Sequence, residues 1–147
     1  MGKIEDAVTC FAGDFSCAQA VCSTYGPQLG LSRELAMKVA GAFGSGMGRL
    51  GQTCGAVTGA LMVIGLRYGK TEAGDDEAKE RTYTLAKEFA DRFTARHGSI
   101  VCQELLGCDI STPEGKEFAS AQGLFDTRCP TFVRDAAQIL EEMGIGG

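Results

Sequence analysis

Cysteine is the residue type in this 147-residue chain best able to do chemistry, and there are seven: Cys10, Cys17, Cys22, Cys54, Cys102, Cys108 and Cys129. Residues 1–14 carry Glu5 and Asp6 and no apolar run, so no secretory leader is read there. An odd cysteine count without such a leader disfavours a structural disulfide framework and favours metal binding or thiol redox chemistry. His97 is the only histidine, which excludes HExxH zinc sites and any centre needing two histidines from one chain. No CxxCH occurs, so covalently attached haem c is excluded, and no CxxC supplies a local redox or zinc signature. Glu104, Asp109 and Asp126 share no spacing that marks a catalytic acid pair. His97, followed by Gly98, reads as a cation against a helix C-terminus rather than a general base.

The second chemical suggestion is the glycine-rich stretch GSGMGRLGQTCGAVTGA, residues 44–60. A phosphate-cradling P-loop closes on Gly-Lys-Ser/Thr, because the lysine and hydroxyl serve phosphate and magnesium. Here the run closes on Gly51-Gln52-Thr53-Cys54, without lysine. A dinucleotide fingerprint needs three spaced glycines after a strand, but Arg49 stands at the last glycine position and the preceding residues read as helix. Nucleotide binding is therefore set aside. The glycines read instead as an approach to a buried helix, with Gly55 and Gly59 four apart on one face where a neighbouring backbone can come close.

The elements that must position these thiols are helical throughout. Phe15, Ala18, Val21 and Cys22 follow three-and-four spacing until Gly26-Pro27. Ser32 caps a second helix with Leu35, Ala36, Val39, Ala40 and Phe43 inward. Residues 54–68 form a helix apolar on most sides, the mark of a bundle's buried centre. A polar linker, residues 70–76, precedes a helix over 77–97 with Leu85, Phe89 and Phe93 inward and Gly98 past its end. Ser99 caps a short helix through Leu106; Thr112-Pro113 opens another. A last helix runs from Cys129-Pro130 to Met143 with Phe132, Val133, Ala136, Ala137 and Leu140 inward. No strand alternation and no fixed repeat occurs. The expectation is one all-α domain over residues 1–147, a bundle of about six to seven helices around a buried central one.

Four cysteines fall at helix starts. Cys129 precedes Pro130 in an N-cap position, Cys54 is at or near the first turn of the buried helix, Cys102 follows Ser99, and Cys17 follows Gly13-Asp14. Unpaired N–H groups and the positive dipole end favour a thiolate at such places. Four such thiols on four helices could converge, and a buried anionic cluster needs a metal, an iron–sulfur centre or pairwise oxidation to be tolerated. Cys10, Cys22 and Cys108 read as small apolar filler, the commoner fate of a free cysteine; Cys10 has the alternative of widening the site beside Cys17.

These residues resemble a known family. Ser16-Cys17-Ala18-Gln19-Ala20-Val21, the block 44–68 with Cys54-Gly55-Ala56-Val57-Thr58-Gly59-Ala60-Leu61-Met62, Cys102-Gln103-Glu104-Leu105-Leu106 and Cys129-Pro130 are similar to the C_GCAxxG_C_C family of redox-active proteins, from about Phe15 to Met143. One departure from that label is Gly55 between Cys54 and Ala56. The resemblance implies a small helical protein of the kind found mostly in anaerobes, with Cys17, Cys54, Cys102 and Cys129 as the family cysteines. A related domain in split-Soret cytochrome c carries an iron–sulfur centre beside haem, and only the cluster side could carry over here. The expected function is redox activity, with an iron–sulfur cluster, or otherwise zinc or another thiophilic metal, ligated by those four cysteines and approached by the Gly55 backbone. Two alternatives stand beside it: a thiol–disulfide protein with a cycling cysteine pair, and a helical interaction module. A net charge of −5 argues against nucleic acid as a partner, and the longest apolar run, 56–66, is too short to span a bilayer. The expected setting is cytoplasmic, with a redox partner protein and, from the apolar surplus of 56–66, a homodimer.

Overall fold

The structure is a computed structural model that describes residues 2–146. Eight helices of five residues or more make up most of it, and no strand occurs among the described residues. Thr53 and Val101 form an isolated antiparallel bridge.

The central packing is that of α2 (Cys17–Tyr25) on α5 (Gly55–Tyr68). Small residues decide how closely they meet. A Cβ on Gly59 would lie 2.8 Å from the carbonyl oxygen of Ala18, and one on Gly55 would lie 3.0 Å from the Ala18 nitrogen and 3.1 Å from Cys17 Cβ. The four-residue glycine spacing therefore does what its position suggests. Ala56, Val57, Ala60, Val63 and Ile64 of α5 are fully buried, each larger side chain worth about 1.5–3 kcal/mol of apolar burial. Leu66 is the one large apolar side chain of α5 left exposed.

Around this pair, α1 (Lys3–Ala12) lies on α10 (Cys129–Glu142) and on α2, and the long α6 (Asp76–His97) covers α5 and α10. Buried Tyr25 ties the centre to α10: its hydroxyl donates to Glu141 Oε2 at 2.8 Å. Arg134 on α10 pairs with Glu5 on α1, and Arg96 on α6 pairs with Glu142 at 2.7 Å. His97, at the C-terminal end of α6, lies 2.8 Å from Asp135 Oδ2 and between the rings of Phe93 and Phe132.

Caps account for several helix starts. Ser16 and Gln19 form a reciprocal capping box at α2. Ser32, Asp75 and Thr112 accept backbone N–H groups at α3 (Arg33–Val39), α6 and α8 (Pro113–Ala121). Four differences from the sequence expectations have physical causes. Helix α1 lies ahead of the first expected helix; Ile4, Ala7 and Phe11 give it a short apolar stripe that only α10 and α2 complete. Helix α3 presents Ala36, with Ala40 beyond its end, to Ala18 and Cys22, so Leu35 and Val39 are about half exposed rather than inward. The short helix α7 (Cys102–Leu106) begins after Val101, not after Ser99, whose hydroxyl instead accepts from the Val101 N–H. Cys129 is the first residue of α10 rather than its cap, the cap being Arg128 after the single turn α9 (Leu124–Thr127).

The largest surprise is the glycine stretch. The turn α4 (Gly44–Met47) is left-handed. Residues 45–49 all have φ between 57° and 69°, and three of them carry side chains. Among the described residues no helix is long and apolar enough to cross a membrane.

Candidate functional site

Cys17, Cys54, Cys102 and Cys129 line one cavity of about 320 Å³. Each arrives at the start of a different helix: first residue of α2, N-cap of α5, first residue of α7 and first residue of α10. The cavity thus sits where four helix starts, and so four positive dipole ends, meet.

Local chain geometry explains the convergence. The Cys54 N–H donates to the Ile100 carbonyl at 2.7 Å, and the Cys102 N–H donates to the Gln52 carbonyl. With the Thr53–Val101 bridge, these bonds lock the entries to α5 and α7 side by side. Gly55 allows α5 to approach Cys17. Arg128 Nη1 donates to the carbonyls of Leu105 and Leu106 at 3.1 and 3.4 Å. That satisfies the end of α7 and fixes the start of α10, hence Cys129, beside it.

The four thiols are not electrostatically equal. The adjoining thiols of Cys129 and Cys54, together with burial, push the Cys17 thiol well above its ordinary value. Cys54 moves the other way: the Cys17 thiol and the backbone N–H groups of Ala56 and Val57 stabilise its thiolate against the cost of burial. Cys102, whose sulfur interacts with the others only at longer range, is pushed up to about 12, first by burial and then by the charges of Cys54, Cys129 and Cys108.

Sequence reasoning missed the walls. Phe11, Phe15, Phe125 and Phe132 supply apolar lining, and Asp14, Ser45, Gly46 and Arg49 line the cavity as well. Phe132 was legible as an inward residue three after Cys129; the others carry no local signal linking them to the thiols. Of the remaining cysteines, Cys22 is buried among Ala18, Ala36 and Ala40, as filler should be. Cys10 turns away from the cavity, 3.7 Å from Ser23 Oγ, so it does not widen the site. Cys108 is half-buried beyond the end of α7. All seven cysteines are free.

The donor set consists of four soft thiols, suited to iron–sulfur clusters or zinc and unsuited to magnesium or calcium. Among the described residues no group of three or more His, Cys, Asp or Glu side chains is drawn together tightly enough to hold a single metal ion as it stands. A single zinc needs four ligand atoms within about 2.3 Å of one point.

Comparison with family models matches residues 15–143 to the family described as "Putative redox-active protein (C_GCAxxG_C_C)". No curated protein and no solved structure matches the chain.

Proposed function

The chain belongs to the C_GCAxxG_C_C redox-active family, and from that premise we propose that it is an electron-transfer protein. In this reading Cys17, Cys54, Cys102 and Cys129 hold an iron–sulfur cluster and exchange electrons with a partner protein. The observation that carries it is the convergence of four thiols and four helix starts on one cavity. Thiol–disulfide exchange needs two cysteines; four are what a Cys₄ cluster needs.

When bound, such a cluster supplies reversible one-electron chemistry. The chain's own contribution is environment. The helix N-termini offset the negative charge of four thiolates, and the N–H groups of Ala56 and Val57 stabilise Cys54 as an anion. The phenyl walls limit water around the thiols, raising the weight of those fixed dipoles. Gly55 keeps the α5 backbone close to Cys17, where backbone N–H groups can tune the potential.

Protein purified without oxygen is the test. Iron and acid-labile sulfide in comparable amounts, with visible absorption bleached by dithionite, support the reading. A folded, colourless, iron-free protein overturns it.

A second reading, disulfide exchange, has its own support in the pairing of a stabilised Cys54 thiolate with an adjoining protonated Cys17. Two thiols would lose two electrons and two protons to a small disulfide, forming one S–S bond and two released thiols. Titration after treatment with oxidised glutathione separates the readings: a fall from seven free thiols to five supports exchange.

A further inference from the structure

Cys17 neighbours both Cys54 and Cys129, whereas Cys102 interacts with the other thiols only at longer range, and the chain holds it by a different device. Residues 45–49 form a left-handed turn with φ from 57° to 69°, closed by the Met47 N–H on the Phe43 carbonyl and the Gly48 N–H on that of Gly44. A left-handed conformation is costly for each residue bearing a side chain, and here Ser45, Met47 and Arg49 all pay it. Only one other non-glycine residue among the described ones has positive φ, Asp14; it, Ser45 and Arg49 all line the thiol cavity. Such strain persists only where the surroundings over-determine it.

What over-determines it here is close packing against the 51–52 backbone and Cys102. Gly46 is buried, and a Cβ there would lie 2.6 Å from the Gln52 nitrogen, 2.8 Å from the Gly51 carbonyl carbon and 2.8 Å from Cys102 Cβ. The Gln52 N–H donates to the Gly46 carbonyl at 3.0 Å, the Cys102 N–H to the Gln52 carbonyl, and the Gln103 N–H to the Gly51 carbonyl at 3.0 Å. The turn and the start of α7 are one hydrogen-bonded unit, with bare backbone pressed against the cysteine.

We infer that Gly46 is the positioning residue of Cys102, and that the left-handed turn brings its backbone to that cysteine and sets the fourth thiol against the other three. The inference rests on the four cysteines acting as one centre, but its test needs no cluster. Gly48 is the internal control: its φ of 64° nearly equals the 68° of Gly46, but a Cβ there would meet only the Ala42 carbonyl, at an ordinary 3.6 Å. Gly46→Ala and Gly48→Ala therefore share the backbone penalty and differ in the contact.

The readout is the alkylation rate of each cysteine in reduced, metal-free protein, resolved by peptide mass spectrometry. Cys102 is expected to react about tenfold faster or more in Gly46→Ala than in Gly48→Ala, the scale on which overpacking shifts a local opening equilibrium. Cys17, Cys54 and Cys129 should stay within about twofold of the wild-type rate, as sites outside the opened segment do. Equal Cys102 rates in the two variants overturn the inference. If Gly46→Ala alone does not fold, Cys102→Gly supplies a second background lacking the opposing Cβ. Partial recovery of folding or melting temperature in Gly46→Ala/Cys102→Gly supports the contact, and a loss equal in both backgrounds overturns it. A failed cluster reconstitution would sink the electron-transfer reading and leave these rates untouched.

Discussion

The polar atoms at Tyr25 and the sulfurs at the cavity show how differently single buried groups are managed in this fold. Tyr25 is fully buried, and its hydroxyl donates chiefly to the Glu141 carboxylate at 2.8 Å, with the Ala137 carbonyl farther off at 3.5 Å. Burial first, then that hydrogen bond and charge, push its phenol well upward. The folded state therefore prefers neutral Tyr25, and the sign follows: the contribution is intact below the unfolded phenol value of about 10 and is lost as pH rises above it toward the raised folded value. Wild-type protein should lose urea resistance above pH of about 10 more steeply than Tyr25→Phe; parallel profiles would contradict the assignment. Near neutrality Tyr25→Phe should cost about 1.5–3 kcal/mol, the range for a hydrogen bond to a charged group, read from the urea midpoint. The cysteines divide on the same logic. Serine at Cys17, Cys54, Cys102 or Cys129 should abolish or sharply lower bound iron, because each replaces a soft ligand with a hard one. Serine at Cys10 or Cys108, both outside the cavity, should leave the iron content unchanged. Equal loss across all six variants would mean that iron binds adventitiously.

Between elements, the close approach of α2 and α5 decides whether the centre can assemble, and two glycines of one helix allow a paired test. Gly59→Ala would drive a methyl against the Ala18 carbonyl oxygen and Val21 Cβ, and overpacking at such a joint costs about 1–3 kcal/mol. Gly65 has nothing within 4 Å of the same added atom, so Gly65→Ala should instead stabilise by about 0.5–1 kcal/mol through lower chain entropy. Melting temperatures moving in opposite directions are the expected result. The same elements show what the sequence made legible. Ser32 and Thr112 announce helix starts because each is a short side chain with an oxygen placed for a free N–H. The Gly55–Gly59 spacing announces a close helix contact for an equally local reason. Left-handedness at residues 45–49 was not legible, since Ser45, Met47 and Arg49 argue against it and the compensating contacts, with residues 51–52 and with distant Cys102, form only in the fold. Helix α1 was missed because its short apolar stripe has meaning only once α10 lies beneath it.

For the whole molecule, the four thiols come from parts of the chain that are distant in sequence: the second helix, the central one, the short helix after α6 and the last. Their helix-start positions were readable one at a time, but their meeting depends on the Thr53–Val101 bridge and the Arg128 contact to α7, pairings between segments far apart in the chain. A ligand that grips all four therefore closes the chain from α2 to α10 and binds only the folded form. Such binding adds about 2.7 kcal/mol at a hundredfold excess over its dissociation constant, and at this chain length each kcal/mol corresponds to about 2–4 °C. Protein loaded with iron and sulfide without oxygen should thus melt several degrees above the metal-free form. The gap should persist in Cys10→Ser, which lies outside the cavity, and shrink in Cys102→Ser, where one of four anchors is gone and the loop through α7 is no longer closed. Coincident melting of loaded and metal-free wild type would mean that whatever the thiols hold does not bridge the helices, and the cavity would then have to work through a pair of cysteines instead of four.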